Sequence, residues 1–328
     1  MAEDLRYELL VSITGSGGDT VLTRAAERGH TELCVTLLSS TPPAYRLNLI
    51  LINETTALHQ AACWGYTETI LGILNCLTAE QQLQLIFKQD SDGDTALHDA
   101  ERCGYKEPVK ILLDHLTSDQ QLMLLFTQNH NNKTALQCAA REGRKAIVNT
   151  MLDNLTPEQQ LQLLSVQHNY RYTALHYAAY NGHTETVMTM LENLTPIQQL
   201  QLLFTQDFIG DTALHSAARN GHTETVKTLL DRLTPQQQLQ LLSVRNSDGN
   251  TALHYAASNR QTETVKALLD NLTPEQQLKL LSTQNKKGKT APQHAAVYYG
   301  NSDTITALEQ YQMEADYRGN FREFAKLT

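Results

Sequence analysis

The tetrapeptide Thr-Ala-Leu-His, or a close variant of it, returns along this chain at a fixed step of 39 residues. Its threonines are Thr56, Thr95, Thr134, Thr173, Thr212, Thr251 and Thr290, and a looser copy opens at Thr20. Self-similarity of this length means a stack of supersecondary units, each burying its apolar face only against its neighbours. Such a chain grows by units rather than by cores, so its 328 residues do not translate into a count of globular domains. A stack is above all a surface for holding something, which shifts the expectation from catalysis toward binding.

One copy shows how the unit is made. Asp248-Gly249 signals a tight turn, because glycine enters positive φ without steric penalty. Thr251 then opens a helix, with its hydroxyl placed to accept from a free amide of the first turn. Leu253, Ala256 and Ala257 form one apolar stripe, and Val265, Leu268 and Leu269 repeat that spacing on a second helix. A break separates the two helices, plainest as Gly182-His183 and Gly221-His222. The Leu-Thr-Pro-Glu-Gln-Gln-Leu-Gln-Leu-Leu segment supplies a third start: a threonine cap, proline in the first turn and glutamine at the capping-box position. Thr156, Thr195, Thr234 and Thr273 head the proline versions; Thr78 and Thr117 head the others. Leu155, Leu161 and Leu164 are expected to bury the third helix, with the glutamine row as a solvated face.

The run Gly210-Asp211-Thr212-Ala213-Leu214-His215-Ser216-Ala217-Ala218-Arg219-Asn220-Gly221-His222-Thr223-Glu224-Thr225-Val226 resembles the helix-turn-helix signature of the ankyrin repeat. Alanine stands where that family usually has proline. The resemblance implies an all-α ankyrin-repeat solenoid of about eight helix-turn-helix units with short turn or hairpin tips. The family unit is about 33 residues, so each unit here is extended by the short third helix. The expected organisation is a capping helix within 1–19, an array over 20–312, and a cap or truncated tail over 313–328. The abrupt stop at Thr328 leaves open a longer native chain.

Composition narrows the function. A formal charge of −9 argues against general nucleic-acid binding, which depends on neutralising phosphates; the lone basic tip Lys286-Lys287-Gly288-Lys289 is too small to reverse it. No apolar run reaches the length of a membrane helix, and the acidic start Met1-Ala2-Glu3-Asp4 is unlike a signal peptide. Five scattered cysteines, Cys34, Cys63, Cys76, Cys103 and Cys138, read as thiols of a reducing compartment. The Asn-Leu-Thr triplets at Asn154, Asn193 and Asn271 match a glycosylation sequon, but their threonines serve as helix caps.

His59, His98, His176, His215 and His254 hold one equivalent position each. Packed helices stand about 8–10 Å apart and zinc wants nitrogens at about 2.0–2.1 Å, so neighbours cannot share a metal. A ring bonded to the adjoining turn is the expectation, and the ankyrin resemblance implies the same role. Glu185, Glu224 and Glu263 recur with the period at second-helix starts, where a carboxylate suits the positive helix end. No nucleophile elbow, phosphate loop or HExxH is present; neither enzyme activity, metal nor cofactor is expected.

Function should then sit where the period is broken. Most tips are polar turns such as Ser91-Asp92-Gly93-Asp94, but two consecutive ones read Asn169-Tyr170-Arg171-Tyr172 and Phe208-Ile209-Gly210-Asp211. Exposed Tyr170, Tyr172, Phe208 and Ile209 would form an apolar patch; the alternative is that these rings pack on neighbouring tips. Nearby helix positions add Tyr180, Arg219 and Arg141, with Trp64 and Arg102 farther along the face that ankyrin proteins make concave. Tyr, Trp and Arg are the types enriched in interface hot spots. The expectation is a monomeric, cytoplasmic scaffold for a protein partner, with no nucleic-acid or membrane partner. Its near-identical repeats and Gln-rich inserts resemble in manner the ankyrin effectors that intracellular bacteria secrete into host cells. The competing expectation is a substrate-recruiting module of a longer enzyme.

Overall fold

The computed structural model of the protein describes residues 20–297 and 302–327. The expected N-terminal capping helix lies outside them. Among the described residues there are 23 helices and no strand beyond isolated bridges. They follow the 39-residue step: a first helix, a second and a short third, as in Ala213–Asn220, Thr223–Leu230 and Pro235–Leu242. The third helix is present in every copy from Pro43–Ile50 to Pro274–Leu281. In the eighth, a single helix Ser302–Leu327 runs across position 312.

The chain divides into two compact units, Met1–Ala139 with Arg144–Leu163, and Ala140–Gly143 with Leu164–Thr328. Within each, like packs on like. In the first unit the first helix Ala57–Cys63 lies between Val21–Glu27 and Ala96–Cys103. In the second, Ala213–Asn220 lies between Ala174–Tyr180 and Ala252–Ser258. The alanine pairs that permit this approach, Ala217-Ala218 among them, are fully buried.

The histidines join consecutive repeats. The backbone N–H of each capping threonine reaches the Nδ1 of the histidine three residues on, at 3.2–3.3 Å. An accepting Nδ1 is bare, so Nε2 carries the hydrogen. That nitrogen donates to a carbonyl 35 residues later: His59 to Asp94, His98 to Lys133, His176 to Asp211, His215 to Asn250 and His254 to Lys289, at 3.1–3.2 Å. One neutral ring thus completes the cap of its own helix and ties down the tip of the next repeat. Gln137 and Gln293 take over the cap in repeats four and eight.

The glutamine row corrects the sequence reading. The first glutamine of each pair accepts from the capping threonine's N–H, as Gln198 does from Thr195 at 2.9 Å. The second does not face solvent: Gln160, Gln199 and Gln238 are buried. Their Nε2 groups donate to Leu152, Leu191 and Leu230 carbonyls at the ends of the second helices, groups a helix terminus leaves without an internal partner. The added segment is therefore a clamp on the second helix. Its buried apolar pair is Leu163 and Leu164 with Leu155, while Leu161 stays half-buried.

The Gly-His turns are tight for a visible reason. Gly143 sits at φ 69°, and a Cβ there would lie 2.5 Å from Nδ1 of His183, whose ring covers it.

Burial lowers the pKa of His176, His215 and His254 to about 4. The unfolded chain takes up these protons near 6.5. Between the two values the unfolded state binds more protons, so stability is complete above pH 6.5 and falls as pH drops toward 4, by about 1.4 kcal/mol per pH unit for each histidine. H215Q, copying the cap seen at Gln137, replaces a titrating ring by an amide that does not titrate. Its urea midpoints between pH 7.5 and 5 should slope less steeply than the parent's. An unchanged slope would contradict the neutral-ring assignment.

Candidate functional site

The tips are laddered by Asx residues one position ahead of the turn. Asp207 Oδ1 accepts from the N–H groups of Ile209 and Asp211 at 2.9 and 2.8 Å, and Asn246 repeats this with Asp248 and Asn250. The Asn246 side-chain amide also donates to Asp211 Oδ1 at 2.8 Å, binding neighbouring tips.

Repeat five departs from this pattern. Where repeats three, four, six, seven and eight have Asp90, Asn129, Asp207, Asn246 and Asn285, it has His168. The Asx turn is replaced by ring packing: His168 stacks on Tyr172 at 5.7 Å, and Tyr177 meets both rings edge-on at 5.5 Å. The Tyr177 hydroxyl lies 2.9 Å from His168 Nε2. Arg171 occupies, at φ 58°, the left-handed position filled by Gly93, Gly210, Gly249 and Gly288 elsewhere and by Asn132 in repeat four.

The expected patch is therefore partly present. Tyr170 is 65% exposed, Phe208 71% and Ile209 39%. The Phe208 N–H donates to the Tyr170 carbonyl at 3.0 Å, so the two tips are neighbours. Tyr172 is corrected: it is half-buried because its ring lies on His168. Its hydroxyl pKa is raised, first by burial and then by Asp207 and Asp211.

Tyr172 also lines a cleft of about 590 Å³, together with Arg141, Glu142, Tyr177, Tyr180 and Asn181. This gathers three of the expected residues, Arg141, Tyr172 and Tyr180. Arg219 does not join them. Its Nη2 binds Asp211 Oδ2 at 3.1 Å and its guanidinium carbon lies 3.9 Å above the centre of the Tyr255 ring. Burial, with Asp211 next, pushes the Tyr255 hydroxyl up to about 12. Trp64, half exposed, and Arg102 belong to the first unit; Arg102 is held by Asp94 at 3.0 Å and by Asp99. Tyr177 and His168 were missed by sequence reasoning; His168 stands where other tips carry Asp or Asn, so the same rule would have found it, whereas Tyr177 has a counterpart in Tyr255.

Among the described residues no cluster of His, Cys, Asp or Glu could hold a metal ion. No described helix is long and apolar enough to cross a membrane.

A stack of helix-turn-helix units joined through tips and capping histidines defines a repeat protein built for protein–protein interaction. The family model described as ankyrin repeats, three copies, matches residues 23–123, 73–162, 158–240 and 233–319, and the chain belongs to the ankyrin-repeat family. No curated protein sequence matches it.

The left-handed Arg171 supplies a test of the tip's geometry. A side chain there costs about 1 kcal/mol relative to glycine, offset in part by the greater freedom of an unfolded glycine. R171G should raise stability in urea by about 0.5 kcal/mol; a clear loss would mean that the arginine side chain itself holds the tip.

Proposed function

We propose that the chain is a non-enzymatic scaffold that holds a partner protein on the adjoining tips of repeats five and six and the helix ends beside them. In ankyrin proteins this is the concave face. The observation that carries the reading is the side-by-side exposure of Tyr170, Phe208 and Ile209 on tips whose counterparts are polar. Turn tips gain nothing in folding from exposed aromatic surface, whereas such side chains anchor interfaces through large contact area at little entropic cost. Arg141, Tyr172 and Tyr180 extend the contact surface into the cleft, and Arg219, close enough to act on the Tyr172 hydroxyl, adds a charge fixed by Asp211. Trp64 and Arg102 offer the same residue types in the first unit. The formal charge of −9 supports a protein rather than a nucleic-acid partner. The free cysteines support a reducing, cytoplasmic setting. An effector delivered into a host cytosol accords with the near-identical repeats.

Replacing Tyr170, Phe208 and Ile209 together by serine separates binding from folding. The triple variant should unfold within about 0.5 kcal/mol of the parent, as exposed sites do, while its capture of partners from native and host lysates is lost. Undiminished capture would sink the proposal, as would a collapse of folding with no surface-specific loss.

A further inference from the structure

The chain contains its own comparison for the cleft. Arg141 and Tyr177 stand in the same register as Arg219 and Tyr255, two repeats earlier. In the later pair the guanidinium lies over the ring and is anchored by the Asp211 carboxylate. Three parts act together there: a carboxylate, an arginine and a tyrosine, with the Asn246 amide bonded to both Asp211 and the Tyr255 hydroxyl at 2.8 Å. In the earlier pair the position of Asp211 holds Lys133, so repeat four supplies no carboxylate at that place. Arg141 instead turns to its neighbour Glu142, through Nε at 2.9 Å, and the cleft opens beside it. That pair is nearly half exposed on both sides, and surface pairs of this kind hold their partners weakly. It also uses only one edge of the guanidinium, whose two terminal nitrogens form the face suited to a carboxylate.

Resting on the partner-binding reading above, we propose that this cleft recognises an acidic segment of the partner. A partner carboxylate, from an Asp or Glu side chain, takes the terminal nitrogens of Arg141 and so supplies what Asp211 supplies within the chain to Arg219. An apolar side chain next to it lies against Tyr172, Tyr177 and Tyr180. Tyr172 connects this cleft to the exposed tip through the stacked His168 ring, so an extended segment running from the carboxylate would meet Tyr170 and Phe208. The overall charge of −9 opposes an acidic partner at long range. That opposition fades beyond about 8 Å at physiological salt, whereas the arginine contact acts within hydrogen-bond reach. Recognition is thus set at contact.

Three small probes of one shape test the charge requirement: 3-phenylpropanoate, its amide and 3-phenylpropylamine. Each is titrated into the full chain at physiological salt, with nitrogen-15 NMR observing the Nε–H of Arg141 and the backbone of Tyr180. The carboxylate should bind about fivefold more tightly than the amide, as a charge-assisted bond at a half-exposed site would give, and the amine should not bind. R141Q should abolish this preference and R232Q, at an exposed arginine the proposal does not use, should keep it. Equal binding of acid and amide would overturn the acidic assignment, as would preference for the amine or silence of Arg141 with all three probes. None of these outcomes touches the tip reading, which stands or falls on the Tyr170/Phe208/Ile209 variant.

Discussion

One imidazole ring in each of five repeats carries the heaviest structural duty. Its Nδ1 accepts from the threonine that starts its helix and its Nε2 donates to the backbone of the following tip. Both bonds require the neutral ring in a single tautomer, and both are buried, where an unmade bond costs more than a made one contributes. The first helix, the turn before it and the next turn therefore order together. The third helix adds a second tie of the same kind, because its buried glutamine closes a carbonyl in the last turn of the second helix.

With helix starts, helix ends and tips satisfied in this way, the remaining positions are free to differ. Repeat five uses that freedom most. It gives up the Asx turn, packs His168, Tyr172 and Tyr177 instead, and tolerates a left-handed arginine. Strain and unusual packing of this sort gather where a surface has work beyond folding. Repeats six and seven show the contrasting solution, in which Asp211, Arg219 and Tyr255 satisfy one another and leave less for a partner.

Much of this was legible in the residues. The 39-residue step gave the helices and the third-helix starts. The glutamine pairs misled because a polar residue on a short amphipathic helix reads as solvent-facing; only the proximity of the second helix's end turns one of each pair inward. Tyr172 misled for a related reason, since a turn residue counts as exposed until a neighbouring ring covers it. The contrast between Arg141 and Arg219 needed geometry as well. The two occupy one position in the period, and their difference depends on a residue eight places earlier, Asp211 in one repeat and Lys133 in the other.

The neutral, single-tautomer histidine bridge is open to direct observation by nitrogen-15 NMR of the imidazole rings in the intact protein. At pH 7.5 and at pH 5, His176, His215 and His254 should each show a bare Nδ1 and a protonated Nε2, with no titration between. Rings that carry hydrogen on Nδ1, or that titrate near their ordinary pKa of about 6.5, would contradict the account.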